Sequence, residues 1–581
     1  MLGLESFIRK SLKNSFFVNL VILFSFLLLS YLYIYVFLKG GYSTIASDRT
    51  FHLERLEEAY RNVKSGHVFS LISTFSESRI GQAIGTYYPS GNLFIYAIIR
   101  CILHKPITSL FAYIMVEKFL SLIVAYFSCK IITKRKDVSY LFSVLYTFSV
   151  YSIHNNFFRC DIGESWASIF IPMAFCGLYL ILFRKDRFKG CLLISFGLAS
   201  ITYSHILSTI MTIAILFVVY LSTLSIQKYK SKSFKALVIS SLIYFLASSG
   251  FNVPFINAIL SNKINNPDVS GFGSSVNMGD LFVESLKNSA MSPNVGFILI
   301  IATIVGIACL YTENKFNKYI YIYGLVLLII STSLFPWMIF KNTSINLLQF
   351  PWRLLQFAVM FLSLCVSRVV CDAKIKSFKY IVTLFAIILS ISSLIQCHDY
   401  GMKISKDSSA DSNPWYWKIN NDNYFSSVSI NRGVDNAAMY RDYLPYNSVI
   451  KADDIFMHRA YVNGKEYFVD SNNIESGYQS ETFKLKGISS KKAEIVLPFV
   501  IYGNHSYILT VNKNKVTFKT DSYSRILFTK PKGVKNIVVN IRCITPKYVI
   551  LARYVSLIVI LAMILLFILC ESRKFRKIVR I

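Results

Sequence analysis

The chain has 581 residues, of which 54% are hydrophobic, 15% aromatic and only 16% charged, and its formal net charge is +31. Soluble domains carry roughly a quarter charged residues; the deficit here comes from repeated apolar runs, which excludes an ordinary soluble globular chain and indicates a polytopic α-helical membrane protein. The basic excess lies in short loops between those runs, the positive-inside pattern, so nucleic acid is excluded as its reason.

The first apolar run, Phe16 to Leu38, is long enough to cross a bilayer as a helix. It is too long for a signal-peptide core and no small-x-small cleavage site follows, so it is expected to be retained. Arg9, Lys10 and Lys13 before it place the N-terminus in the cytoplasm. The stretch Ser47-Asp-Arg-Thr-Phe-His-Leu-Glu-Arg55 then emerges on the outer face, at the membrane surface. As a helix over 48–63 it aligns Asp48, His52 and Arg55 on one stripe, beside an apolar stripe of Leu53, Leu56, Tyr60 and Val63.

About twelve spans are expected, near 16–38, 107–130, 138–153, 166–183, 190–204, 206–226, 236–252, 294–311, 319–335, 353–371, 379–396 and 548–570. This threading puts Lys134-Arg-Lys136, Arg184 with Lys185, Lys228 to Lys235, Lys315 with Lys318, Lys374 to Lys379 and Arg573 to Lys577 on the inner side. A span at Tyr87 to Leu103 would flip every later basic loop, so that segment is expected to lie at the outer interface as a second surface helix. The predicted organisation is a transmembrane domain over 1–396, whose outer loop 39–106 carries interfacial helices. An extracytoplasmic domain over 397–547 and a last helix with a basic cytoplasmic tail over 548–581 complete it. Within 397–547, alternation such as Lys492-Ala-Glu-Ile-Val-Leu-Pro-Phe-Val-Ile501 between Asn, Gly and Ser turns predicts a β-sandwich-like fold. The eleven cysteines show no metal-ligand spacing. Cys397 and Cys543 bracket the hydrophilic segment, where a disulfide and two unpaired thiols are both open.

The polar residues expected on the outer face are few. They are Asp48, Arg49, His52, Glu54 and Arg55 in the first loop, the stretch His154 to Glu164 with Arg159, Asp161 and Glu164 after the third span, His205 in a hairpin turn, and Gln349 with Arg353 before the tenth span. Moving a sugar from a lipid phosphate to a hydroxyl needs a carboxylate base and cationic stabilisation of the departing phosphate, at the depth of the headgroup. Asp48 suits the base, with His52, Asp161 and Glu164 beside it as catalytic candidates. Arg159 and Arg353 suit phosphate contacts, with Arg49, Arg55, His205 and Gln349 as further binding candidates. Each has a plainer reading: Asp48 as a helix N-cap, His52 as an interfacial hydrogen-bonding residue, Arg159 in a loop ion pair, Arg353 as a snorkelling anchor, His205 as a turn cap. Glu117 and Lys118, within the second span, are either a neutralised packing pair or a carrier's functional charges.

An outer acidic residue after the first span, surface helices, a second acidic site after the third span and a C-terminal outer β-domain together resemble the GT-C superfamily of membrane glycosyltransferases. More narrowly, Ser47 to Arg55, Tyr88-Pro89, Arg159-Cys-Asp-Ile-Gly-Glu164, Ser204-His205, Gln349-Phe-Pro-Trp-Arg353 and Arg441-Asp-Tyr-Leu-Pro445 resemble bacterial YfhO-like membrane proteins and the group labelled 6-pyruvoyl-tetrahydropterin synthase-related. The label implies no pterin chemistry. The resemblance implies a plasma-membrane enzyme of the bilayer's outer face, using a polyprenyl-phosphate sugar donor and a cell-envelope glycopolymer acceptor, with Asp48 as base or metal contact. A divalent metal, Mg or Mn, is the cofactor such a superfamily can supply; no Asp-Asp or Asp-Glu pair accompanies Asp48, which argues against a requirement. Two rival readings are a transporter or flippase of lipid-linked saccharides, which would need functional charges at mid-membrane, and a non-enzymatic envelope scaffold acting through the β-domain.

Overall fold

The computed structural model describes residues 15–43, 48–184, 186–267, 269–273, 275–308, 310, 315–404, 418–427, 441–488 and 491–571. Arg9, Lys10, Lys13, Ser47, Lys185 and the run 573–577 lie outside the described residues.

Helix α1 (Ser15–Gly40) is followed by α2 (Arg49–Lys64) and α3 (Leu93–Leu103) in the first loop, then by α4 (Pro106–Thr133) and α5 (Lys136–Thr147). Next come α6 (Ile162–Tyr179), α7 (Arg187–Thr202), α8 (Ile206–Ser222), and the pair α9 (Lys230–Ala247) and α10 (Ser249–Ser261). The helical region closes with α11 (Met278–Lys287), α12 (Phe297–Val305), α13 (Lys315–Ile330), α14 (Leu355–Asp372) and α15 (Phe378–Ile404). Helix α16 (Lys547–Glu571) is the last element among the described residues.

Twelve spans were expected; among the described residues six helices are long and apolar enough to cross a membrane. They are Phe16–Gly40, Pro106–Thr133, Ile162–Arg184, Pro351–Asp372, Phe378–Lys403 and Lys547–Cys570, and α9 with α10 makes a seventh if that pair, bent by 80°, is one span. Length is the reason for the difference. The apolar run 138–153 breaks at Phe148, where α5 ends and Ser149 caps a new turn. Helices α7 and α8 have 16 and 17 residues, a rise of about 25 Å against a hydrocarbon core of about 30 Å. Residues 87–103 form no long helix: Ile84–Tyr87 is a single turn, and α3 buries Leu93, Tyr96, Ala97 and Arg100 while leaving Ile102 outward.

The polar C-terminal segment forms strands. A two-residue pair, β1 (Tyr42–Ser43) with β2 (Ile419–Asn420), ties the end of α1 to the stretch after α15. Ten more strands follow: β3 (Arg459–Val462), β4 (Lys465–Phe468), β5 (Ile474–Gly477), β6 (Ser480–Leu485), β7 (Ala493–Val500), β8 (Ser506–Val511), β9 (Asn514–Val516), β10 (Phe518–Thr520), β11 (Arg525–Lys530) and β12 (Ile537–Ile544). They make two five-stranded antiparallel sheets, β10-β11-β7-β3-β4 and β5-β6-β12-β8-β9. Alternation drives this: in β12, Ile537, Val539, Ile541 and Cys543 are buried while Val538, Arg542 and Ile544 face out. Cys397 and Cys543 are free thiols in separate apolar cores.

The sandwich core is not closed on itself. Ile72, Ile80, Ala83 and Tyr87 of the first outer loop bury into it. The loop backbone is also held: Val500 N donates to the Ile80 carbonyl at 2.9 Å, Leu71 N to Gln479 Oε1 at 2.6 Å, and Thr74 Oγ1 to the Gly477 carbonyl at 2.8 Å. Gly81 has φ +77°, and a Cβ there would fall 2.3 Å from the Phe499 ring, so only glycine lets loop and sheet meet so closely. The β-domain therefore fixes the loop that carries α2, and α2 carries Asp48 at its start.

Candidate functional site

Three chain segments meet at one place. Asp48 precedes α2, a π-helical stretch His154–Arg159 leads to Asp161 at the N-cap of α6, and the 3-10 turn Pro351–Leu354 starts α14. A backbone hydrogen bond from Asp48 N to the Arg159 carbonyl, 2.9 Å, joins the first to the second. Cys160 takes a left-handed conformation (φ 60°), which reverses the chain so that Asp161 N donates to the Asn155 carbonyl at 3.0 Å.

Arg159 is the hub. Its guanidinium donates to Asp48 Oδ2 at 3.1 Å, Asp161 Oδ2 at 3.0 Å, Glu164 Oε2 at 3.1 Å and Asn155 Oδ1 at 3.2 Å, and it lies 4.7 Å over the Trp352 ring. Arg353 adds a second guanidinium, with Nε 3.3 Å from Glu164 and an amino nitrogen 4.0 Å from Asp161. Glu164 also accepts from Tyr151 Oη and from Asn155 Nδ2. Arg353 donates to Gln349 Oε1 at 2.9 Å and to the Leu348 carbonyl at 3.3 Å. Side-chain exposure separates the members: Arg159, Asp161, Glu164 and Arg353 are at 0–6%, whereas Asp48 is 39% exposed. Asp48 sits at the N-cap position but its side chain makes no capping bond; it is turned to Arg159.

His52 lies on the other side of Asp161, with Nε2 3.6 Å from Asp161 Oδ1 and Nδ1 3.2 Å from an Arg55 amino nitrogen. Arginine can only donate, so Nδ1 is the acceptor and Nε2–H faces Asp161. Burial, and the charge of Arg55, push the imidazole down to about 3, so it is neutral at physiological pH. Arg55 stacks 3.8 Å over Tyr88 and donates to the Pro89 carbonyl. His205 caps α8 by accepting from Ser208 N, and burial lowers it to about 4. Its ring sits 5.7 Å from Tyr88. Gly163 permits this assembly, because a Cβ there would lie 2.5 Å from Tyr88 Oη. Arg49 is fully buried and donates to the Ser43 carbonyl at 3.2 Å, toward the β1 pairing.

Burial alone would raise Asp161, but the charge of Arg159, with Arg353 behind it, carries its carboxyl well below the usual range. Asp48 moves the other way: burial raises it against the pull of Arg159, and the neighbouring charges of Asp161 and Glu164 add to the rise. Its open face limits the size of that rise. Burial lowers Arg159 less than Asp161, Asp48 and Glu164 raise it, so it stays charged. The contact set holds three carboxylates and two guanidiniums. One proton is the charge the cluster lacks, and Asp48 is the member open to receive it.

Arg159 occupies the space between the three carboxylates, where a divalent ion would have to sit, and among the described residues no group of three His, Cys, Asp or Glu side chains is arranged to hold a metal. The donor set therefore does not fit Mg or Mn. Glu117 and Lys118 form an internal pair, 2.7 Å apart, satisfied further by Asn156 and Ser152. The charges that a carrier would need at mid-helix are closed on one another.

Sequence reasoning did not single out Asn155, Tyr151, Trp352 or Tyr88 as side chains that saturate the cluster. Tyr88 and Trp352 stood inside quoted motifs, and that was the available signal. Glu77 was missed altogether. Glu77, Ser78 and Arg79 all have positive φ (51°, 55° and 57°), and both Glu77 carboxylate oxygens are buried without a hydrogen-bond partner. Burial, with the nearby charge of Glu54, raises its carboxyl well above the usual value.

A family model described as 6-pyruvoyl-tetrahydropterin synthase related domain, membrane protein, matches residues 85–399, more than half of the chain. An uncharacterized protein of Lactococcus lactis subsp. cremoris (strain MG1363) is 24% identical over 354 residues, 58% of this chain and 56% of that protein. Among solved structures, arabinofuranosyltransferase AftD from Mycobacteria aligns with 13% identity and a TM-score of 0.42, over 65% of this chain and 26% of AftD. ArnT from Cupriavidus metallidurans, bound to undecaprenyl phosphate, aligns with 9% identity and a TM-score of 0.30, over 69% of this chain and 82% of ArnT. The chain thus spans 56% of the length of the curated relative and about a quarter of AftD.

Proposed function

The chain belongs to the 6-pyruvoyl-tetrahydropterin synthase related family of membrane proteins, and from that premise and the site geometry we propose that it is a membrane glycosyltransferase. It transfers a sugar from a polyprenyl-phosphate donor to a hydroxyl of a cell-envelope glycopolymer, on the outer face of the plasma membrane. The observation that carries this reading is the contrast within the cluster: Asp48 is open, and the residues that set its charge are sealed. No pterin chemistry and no nucleic acid enters.

In the proposed mechanism the acceptor hydroxyl docks at the open oxygen of Asp48. As its oxygen attacks the anomeric carbon, its proton passes to Asp48, and the bond from that carbon to the lipid phosphate breaks with its electrons leaving on the phosphate oxygen. Proton uptake leaves two carboxylates facing two guanidiniums, so the buried charges balance as the reaction proceeds. Arg159 is a positioning residue, committed to three carboxylates. Arg353, whose contact to Asp161 is the longest in the cluster, has the slack to turn toward the departing phosphate. His52, neutral and donating toward Asp161, holds that carboxylate in place and is not a base.

The test uses the full chain in proteoliposomes with a labelled polyprenyl-phosphate sugar, following label transfer and release of polyprenyl phosphate. Asp48→Asn keeps the shape and removes the proton acceptor, so transfer should fall about 10²- to 10⁴-fold. Transfer by the variant at wild-type rate would remove Asp48 from the mechanism. Movement of label across the bilayer without any transfer would replace the enzyme by a carrier.

A further inference from the structure

A cavity of about 680 Å³ lies among α4, α6, α8, α13 and α14, at the end of the bundle opposite the carboxylate–arginine cluster. Helix α6 and its π-helical extension Leu180–Arg184 fix the separation: Asp161 caps one end and Arg184, at the other, lines the cavity. Twenty-three residues of helix rise about 35 Å. Helix α14 repeats the relation, with Arg353 just before its start and Arg368 in its last turns. The two sites therefore lie at opposite ends of the same helices.

The lining is divided by chemistry. Phe175, Leu178 and Leu364 belong to its apolar part, and the charged residues that line it are Arg184, Lys315 and Arg368, with no carboxylate among the described lining residues. Both guanidiniums are braced through Nε: Arg184 donates to Tyr179 Oη at 2.9 Å, and Arg368 donates to Asn317 Oδ1 and stacks 5.0 Å over Phe316. Bracing through Nε leaves the two amino nitrogens of each as the donors for a ligand. The volume is that of a small-molecule site. A soluble anion would use the cations and waste the apolar walls; a neutral lipid would use the walls and leave three cations without a counter-charge. Basic pockets between transmembrane helices on the cytoplasmic side hold anionic headgroups, and Thr133, which also lines the cavity, directly precedes Lys134-Arg-Lys136.

We propose that this cavity is a binding site for an anionic glycerophospholipid of the inner leaflet. An acyl chain enters among Phe175, Leu178 and Leu364, and the phosphate is held by Arg184, Lys315 and Arg368. The site is separate from the proposed transferase chemistry and does not depend on it.

The experiment reconstitutes the full chain in vesicles of equal phosphatidylglycerol and phosphatidylcholine, extracts it in mild detergent, and counts retained lipid by native mass spectrometry. Phosphatidylglycerol should be retained preferentially. Each cation near the membrane surface contributes roughly fivefold, so Arg184→Gln with Arg368→Gln should cut the preference about 30-fold. Leu364→Trp should abolish retention while leaving the cations in place. The exposed Lys315→Gln, which disturbs no packing, should give about a fivefold loss. Equal retention of both lipids by the wild-type chain, or an unchanged preference in the charge variants, overturns the proposal. Binding of inorganic phosphate alone that survives Leu364→Trp would overturn it in favour of a free-anion site.

Discussion

Replacing Arg159 by Met tests the central physical assertion, that one guanidinium makes three converging carboxylates tolerable. Met matches the stem of Arg and keeps contact with the Trp352 ring while removing the charge. Asp161 and Glu164, 3% and 0% exposed, then retain only Arg353 at 4.0 and 3.3 Å and the neutral donors around them. Stranding buried charge in this way costs about 3–5 kcal/mol. Asp48, 39% exposed, can rehydrate and adds little, so Asp48→Asn should change stability by less than about 1 kcal/mol. The assay is reversible denaturant unfolding of the purified chain in detergent, followed by tryptophan fluorescence. Pairing Arg159→Met with Asp161→Asn and Glu164→Gln should recover part of the loss, because the carboxylates destabilise only when the guanidinium is gone; such neighbours couple by about 0.5–3 kcal/mol. A loss below about 1 kcal/mol for Arg159→Met, with no recovery in the combined variant, would refute the reasoning.

Further outcomes follow from the same geometry. Glu77 has a carboxyl whose folded-state value is raised, so its native form favours the proton: the chain should gain stability as pH falls from above the folded value toward the unfolded value of about 4.3. Glu77→Gln should remove that part of the pH dependence and stabilise the neutral-pH protein by about 1–3 kcal/mol, measured as thermal midpoints at two pH values; identical pH profiles would count against it. Gly163→Ala pushes a methyl to 2.5 Å from Tyr88 Oη and should lower transfer more than stability, since Tyr88 underlies Arg55 and His52; unchanged transfer rates would show that this packing is idle. Gly81→Ala meets both a φ of +77° and the Phe499 ring, so about 1–3 kcal/mol should be lost, with faster proteolysis between the first loop and the β-domain. Protease resistance equal to wild type would contradict a docked loop.

The primary structure by itself determined the chemistry of the surfaces. Long apolar runs without Pro and with few charges, as at Phe16–Gly40 and Lys547–Cys570, have one way to hide a backbone in lipid, and that is a helix. Period-two alternation at Ile537–Ile544 had one way to bury four residues in eight, and that is a strand. Local spacing likewise placed His52 and Arg55 on one stripe of α2, the first of them one turn after Asp48. Span number was not legible, because hydropathy counts apolar residues but does not show where a helix ends: Phe148, Ser222 and the bend after Ala247 shorten runs that look continuous. What only the tertiary structure decided is which charges meet. Asp48 and Arg159 are 111 residues apart and Glu164 and Arg353 still further, and no local rule couples positions at that distance. Their pairing depends on where four helix ends converge, and the same convergence buries Arg159, Asp161 and Glu164 while leaving the Asp48 carboxylate open to solvent.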